Sequence, residues 1–476
     1  MPRFCTFLIV PTCLLALSGC ATNPVTGEAD FVLMSEQQEI QLGHQTHTDV
    51  MKQYQEYNAP ELQALVNDLG QELAAQSHRS HLNYTFTLLD SPQVNAFATP
   101  GGYVYITRGI LAYMNNEEQL AGVLGHELGH VTARHSVRQH SAQTTAGLFT
   151  MIAAMATGSK NVGQVTGQFG QAFVSGYGRS HELEADRLGA EYLAGIGYDP
   201  EMMLGVVGIL KDQEEFERQR AQEEDREPRT YHGVFSTHPR NDQRLQEVIR
   251  AAEKFKNPDA RYSNSDKFLR MLDGVTFGNS EDQGVTRGNQ FYHKPLDLTI
   301  EFPDKWRIDN QPTQLVALNP EQNSALLIRL GKAGDASSPD QFLRQNFKDL
   351  QKLERIDGKS AAGITQGTTP FGQVPVRVAA VFHDDKVLVI NGFGKGGPPD
   401  RAFFDTVQSV RKLEPNERKL ASSQKLKVVR AKQGETFANL AQQLGLEQYG
   451  EENLRLLNGM YPDGEPEPGQ LIKIIR

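Results

Sequence analysis

His126-Glu127-Leu128-Gly129-His130 is the stretch on which the reading of this 476-residue chain turns. The chain holds 13 histidines, from which about 0.02–0.03 chance occurrences of H-E-x-x-H are expected. On a helix, positions four apart lie about 40° from each other, so both imidazoles share one face. Leu120, Leu124, Leu128 and Val131 form a separate apolar stripe able to bury in a core, and Glu127 falls between stripe and imidazoles. Two histidines can then hold one ion while a carboxylate reaches a water upon it. Asn116 is a good N-cap for this helix, with Glu117 and Glu118 in its first turn.

A catalytic zinc takes a third protein ligand and leaves its fourth position to water. The metzincin extension requires Gly at 133 and His at 136, where this chain has Ala133 and Ser136. His135 falls off the ligand face by helical phase. The better candidate lies in Ser180-His181-Glu182-Leu183-Glu184-Ala185-Asp186, on a helix expected to be capped by Ser180. Glu182 and Asp186 are one turn apart there. One can ligate the metal and the other can hydrogen-bond a ligand histidine.

Three motifs together resemble the HtpX and CAAX-prenyl-protease type of zinc metalloendopeptidases, in its periplasmic lipoprotein branch. They are His126–His130 with the trailing Val131-Thr132-Ala133-Arg134-His135, then Glu182–Asp186, then His238-Pro239 followed by Arg244. The resemblance covers about residues 30–255. It implies a mainly helical, gluzincin-like zincin domain with a small sheet. It further implies one Zn2+ per chain on His126, His130 and Glu182, Glu127 as catalytic base, and Asp186 in a supporting role, sometimes as proton donor. His238 is the natural oxyanion donor, with Arg244 orienting it or Glu182; in similar proteins the equivalent histidine occupies the open zinc position at rest. The Asn95–Ala98 and Pro100–Gly102 segment is similar to the family's substrate-facing edge strand. If Tyr103–Thr107 is left as an edge, it can hold an extended peptide by main-chain hydrogen bonds.

Before the protease domain, residues 1–19 read as a signal peptide, with Arg3 ahead of an apolar run too short to span a bilayer. Leu17-Ser18-Gly19-Cys20 resembles a lipobox, which implies lipidation of Cys20 after cleavage. Ala21, where an inner-membrane retention signal has Asp, favours the periplasmic face of the outer membrane. Residues 20–34 are expected to be a tether, and Ser35 with Gln38 forms a capping box opening the protease domain at 35–256. A helix over Pro60–Gln76 and a strand over Tyr84–Leu89 follow. Asp199-Pro200 is expected to open a helix with Pro at N1. Leu148–Ala156 is apolar but too short to cross a membrane, and reads as core. Lys211–Arg229 is highly charged, a solvated helix or flap.

The whole reads as a multidomain α+β chain. A polar linker at 257–288 leads to an α+β domain at 289–415, whose Phe302–Trp306 opening resembles PsbP/Mog-one domains. Its expected strands are Leu296–Phe302, Ala325–Leu330, Val374–Phe382 and Val387–Phe393, with helices over Pro339–Leu353 and Arg401–Val410. Residues 424–476 read strand, helix, helix, strand and resemble a LysM module, which implies peptidoglycan as a candidate partner, with a purely structural cap as the rival. No 34-residue helical repeat is present.

All three cysteines lie at Cys5, Cys13 and Cys20, which excludes disulfide scaffolds and four-cysteine zinc sites. A net charge of −10 with no long basic run argues against nucleic acid. The function expected is a zinc endopeptidase of the bacterial envelope acting on polypeptides, anchored to the membrane through Cys20. One alternative is a non-catalytic chaperone or wall-binding adaptor with a structural metal, against which Glu127 counts. A deformylase is the other, and the lack of a usable cysteine ligand counts against it.

Overall fold

The computed structural model describes residues 20–141, 178–224, 228, 242–256, 260, 265–446 and 448–476. The apolar stretch 148–156 and His238 lie outside them. Contacts divide the chain into one unit of residues 20–273 with 428–474, and a second of 274–427 with 475–476.

The stretch expected to be a tether begins as a two-stranded ribbon, β1 (Cys20–Thr22) and β2 (Ala29–Phe31). Asn23 closes its turn, its Oδ1 accepting from the Val25 and Thr26 amides. Helix α1 (Glu36–Gln53) then starts at the full capping box of Ser35 and Gln38, and α2 (Pro60–Ala75) starts with Pro60 in its first turn. Both starts are local and were legible as such.

Three strands follow: β3 (Thr85–Leu89), β4 (Ala96–Thr99) and β5 (Tyr103–Thr107). Their order is β3-β5-β4, with β3 parallel and β4 antiparallel to β5. Tyr103–Thr107 is thus the central strand, and Ala96–Thr99 is the edge. Its backbone is paired on both sides, with Thr85–Leu89 along one and Ala96–Thr99 along the other. Gly101 and Gly102 turn the chain between β4 and β5 at φ +80° and +101°, where a side chain would be strained.

Helices α3 (Arg108–Leu111) and α4 (Glu117–Thr132) come next, the second capped by Asn116, whose Oδ1 accepts from the Gln119 amide at 2.8 Å. The Leu120, Leu124, Leu128 and Val131 stripe is buried, and so is nearly all of α4, because neighbours cover its other faces as well. One neighbour is α5 (Arg179–Gly195), which begins after Gly178 with no side-chain cap. Ser180 is inside that helix and does not cap it. Another is α6 (Met202–Glu223), which starts two residues later than Pro200 at N1 would require. The charged stretch after Lys211 continues this helix and still buries Gln213, Phe216 and Glu217, so it is half core and not a flap. Helices α7 (Asp242–Phe255) and α8 (Ser265–Met271) complete this part, the latter within the stretch expected to be linker.

The second unit is built on a seven-stranded antiparallel sheet, in the order 307–311, 314–318, 324–332, 386–394, 372–383, 360–369 and 351–355. The hairpin at Asp384-Asp385 is as expected. The helix beginning at Pro339 ends at Asn346, not Leu353, and 351–355 is a strand. Strands 307–311 and 360–369 carry few large apolar residues and escaped the sequence reading, as did the short apolar strand 314–318. Ala379, Val381 and Ile390 pack with Phe403 and Val407 of the helix Asp400–Ser409. Val378, Ala380 and Val387 pack on the opposite face with Phe342 and Leu343. Two covered faces explain the continuous apolar run of Val378–Phe382.

At the C-terminus, α9 (Phe437–Leu444), α10 (Gly450–Leu457) and the strand β6 (Leu471–Ile475) follow the strand Gln424–Arg430, which is the expected strand, helix, helix, strand order. Among the described residues, no helix is long and apolar enough to cross a membrane.

Candidate metal centre

Helices α4 and α5 approach closely because small residues face each other. A Cβ on Gly129 would lie 3.0 Å from the Ala185 Cα and carbonyl oxygen, and one on Gly125 would lie 3.3 Å from the Gly189 Cα. Side chains there would hold the backbones apart. We expect Gly129→Leu to destabilise the protein by about 1–3 kcal/mol through overpacking. It should also weaken zinc binding, as read by thermal unfolding and metal titration.

This crossing brings His126 and His130 against Glu182 as a buried three-donor cluster. The two Nε2 atoms are 3.1 Å apart, with Glu182 Oε1 3.4 Å from His130 Nε2 and Oε2 3.6 Å from His126 Nε2. A tetrahedral zinc with ligands at roughly 2.0–2.1 Å places its donors about 3.3 Å from each other. The observed spacings bracket that value, and the donor set of two imidazoles and a carboxylate suits zinc. The residues present fit the ion.

The back of each imidazole is held as well. Asp186 Oδ1 lies 2.9 Å from His126 Nδ1, a contact able to orient that imidazole. His130 Nδ1 lies 2.8 Å from His135 Nδ1, and His135 Nε2 lies 3.0 Å from Glu184 Oε2. If His130 keeps its Nε2 lone pair for the ion, its Nδ1 must donate to His135, which then donates through Nε2 to Glu184. Burial pushes the His135 imidazole below its ordinary range, consistent with a neutral relay. Burial pushes Glu184 up, but hydrogen bonds from His135 and Arg138 outweigh it and draw its carboxyl down to about 2.

His135 is not among the three donors, as helical phase implied, but α4 ends at Thr132 and Arg134 takes φ 55°, which brings His135 behind His130. Glu184 was quoted in the motif with no role assigned to it. Its signal was the spacing of two from Glu182, which puts it on a different face of α5. Arg244 lies on α7, and its side chain, like all of His238, is outside the described residues.

The far end of α4 is anchored by buried charge. Arg79, fully buried, donates to Glu39 Oε1 at 2.8 Å, to Glu36 Oε2 at 2.8 Å and to the Val131 carbonyl at 3.0 Å. Arg134 also donates to Glu39, at 2.8 Å. Arg79→Met should cost about 3 kcal/mol in urea unfolding, the low end for breaking a buried pair, because Arg134 still holds Glu39.

Glu127 is 2% exposed and lines an apolar pocket with His126, Ile110, Val123, Met203 and Val206. Ala96, on the edge strand β4, lines it too. Among the described residues, a carboxylate beside the donor cluster, a pocket and an edge strand thus adjoin one another.

Residues 60–252 match the family model described as peptidase family M48. The chain is 30% identical over 306 residues to the beta-barrel assembly-enhancing protease of Escherichia coli K12, covering 62% of this chain and 58% of that one. It is also 30% identical over 223 residues to the Yersinia pestis protein of the same name, covering 44% and 43%. Over 127 residues it is 30% identical to the mitochondrial metalloendopeptidase OMA1 of Arabidopsis thaliana, covering 27% and 26%. The chain spans somewhat more than half the length of the first of these relatives. Residues 60–252 thus resemble peptidase family M48, whose members are zinc-dependent metalloproteases, and the buried His126, His130 and Glu182 cluster suits such an ion.

Proposed function

We propose that the protein is a zinc endopeptidase of the bacterial cell envelope, hydrolysing peptide bonds of unfolded or misassembled envelope proteins. The observation that carries this reading is Glu127, a carboxylate held in a buried apolar pocket beside three metal donors. A structural metal post has no use for it. The names of the similar proteins, proteases of barrel assembly and of mitochondria, support peptide bonds as the substrate.

His126, His130 and Glu182 would hold the ion, which supplies Lewis acidity to a water and to the scissile carbonyl. Asp186 and His135 keep both imidazoles turned toward it. Glu127 takes the proton of the attacking water and passes it to the departing amine. The edge of β4 pairs with an extended substrate by main-chain hydrogen bonds, which favours unfolded segments over folded ones. For the oxyanion, His238 with Arg244 is the candidate donor that the sequence offers.

Lipid attachment at Cys20 would place the enzyme on the periplasmic face of the outer membrane, and the LysM-like module at 424–476 would give it a hold on peptidoglycan. Sequence signals support both. The test of the central reading is hydrolysis of casein by the wild-type protein and its loss in Glu127→Gln.

A further inference from the structure

Lys473 is fully buried, and nothing in the proposed reaction uses it. It sits on β6 near the end of the chain, 359 residues from its partner Met114. Its Nζ donates to the Met114 carbonyl and to the Ala112 carbonyl, both at 2.7 Å. Burial holds the amine well below lysine's ordinary range. The Lys473 backbone is itself pinned by Asn458, which accepts from the Lys473 amide at 2.8 Å and donates to its carbonyl at 2.9 Å.

The residues that Lys473 holds form the turn between α3 and α4. Ile110, on one side of that turn, lines the pocket beside Glu127; Asn116, on the other, caps the helix that carries Glu127. The same C-terminal segment grips α6. Tyr461 donates to Gln219 at 2.8 Å, the Phe216 ring meets those of Tyr449 and Tyr461 edge-on, and Arg220 lies 5.0 Å over the Tyr449 ring. Met203 and Val206 of α6 line the same pocket. One small module therefore contacts two elements that line it, the turn after Ile110 and helix α6.

We propose that residues 428–474 are a built-in clamp on the pocket beside Glu127, with Lys473 as the positioning residue that sets which substrate side chain the pocket accepts. The clamp rests on the proteolytic reading, since it specifies the pocket of that site. Lys473→Met keeps the length of the side chain and removes both hydrogen bonds, leaving two buried carbonyls unpaired.

The experiment measures kcat and KM of the full chain on peptides that differ in the aliphatic side chain flanking the scissile bond, with zinc content read in parallel. In Lys473→Met, KM for the best peptide should rise about tenfold and the preference among peptides should flatten, with zinc retained and kcat nearly unchanged. A merely destabilising change would lower the fraction of active enzyme, hence apparent kcat, and leave KM and preference as they were. That result overturns the clamp. Should Lys473→Met fail to fold, Tyr461→Leu loosens the opposite grip, and an unchanged KM and preference there overturns it equally. A wild-type protein that cleaves no peptide refutes the proteolytic reading instead. The clamp is then decided by hydrogen exchange at the amides of 112–119, faster in Lys473→Met if it holds and unchanged if it does not.

Discussion

Glu127→Gln is expected to bind zinc and fold like the wild-type protein while its casein hydrolysis falls by roughly 10²–10⁴-fold, the usual contribution of a positioned general base. The amide keeps the shape of the side chain in its pocket, where the carboxylate is 2% exposed. An amide is also less costly to bury than a charge, so the substitution does not weaken the fold. What is removed is the capacity to accept a proton. Zinc content, thermal unfolding and turnover measured on the same preparation separate these effects. Residual activity close to wild type would favour the adaptor reading, in which the metal is a post and Glu127 a bystander.

Zinc content should drop from about one per chain to a small fraction of that in either His126→Ala or Glu182→Ala, since each removes one of the three donors grouped among the described residues. The loss should extend to stability at ordinary zinc concentrations, because binding free energy is shared with folding. Asp186→Asn is the graded case. It keeps a polar group facing His126 but not the charge, and should weaken metal affinity by about 10–100-fold. Activity restored at saturating zinc would support Asp186 as an orienting group; activity still absent at full occupancy would return it to the proton-transfer role. Zinc undiminished in Glu182→Ala would move the third ligand elsewhere, with His135 and His181 the next residues to test.

Much of the site was legible in the sequence, because its signals are local. Two histidines four apart, an apolar stripe on another face of the same helix, Asn116 ahead of two acids and the Ser35–Gln38 box all act within one or two helical turns. The pairing of Glu182 and Asp186 is local in the same sense, and the three-donor cluster contains the expected Glu182. The expectations that failed, such as a cap at Ser180 and a start at Pro200, concern helix ends, where one residue more or less costs little and tertiary packing decides.

By itself, then, the sequence determined the chemistry: which side chains can bind a metal, which can carry a proton, and which helices present them. Only the tertiary structure decided how they meet. Glycines at 125, 129 and 189 with Ala185 let two helices cross closely enough to join donors from distant parts of the chain. A left-handed residue at Arg134 turned His135 from an apparent bystander into the support of His130. Pairing with β3 on one side and β4 on the other made β5 central and left β4 at an edge. Lys473, an ordinary lysine in a strand of isoleucines, acquired its partners only through docking of the C-terminal segment. Periodicity reports which face of an element is buried, whereas the identity of what covers that face is a property of packing between segments far apart in the chain.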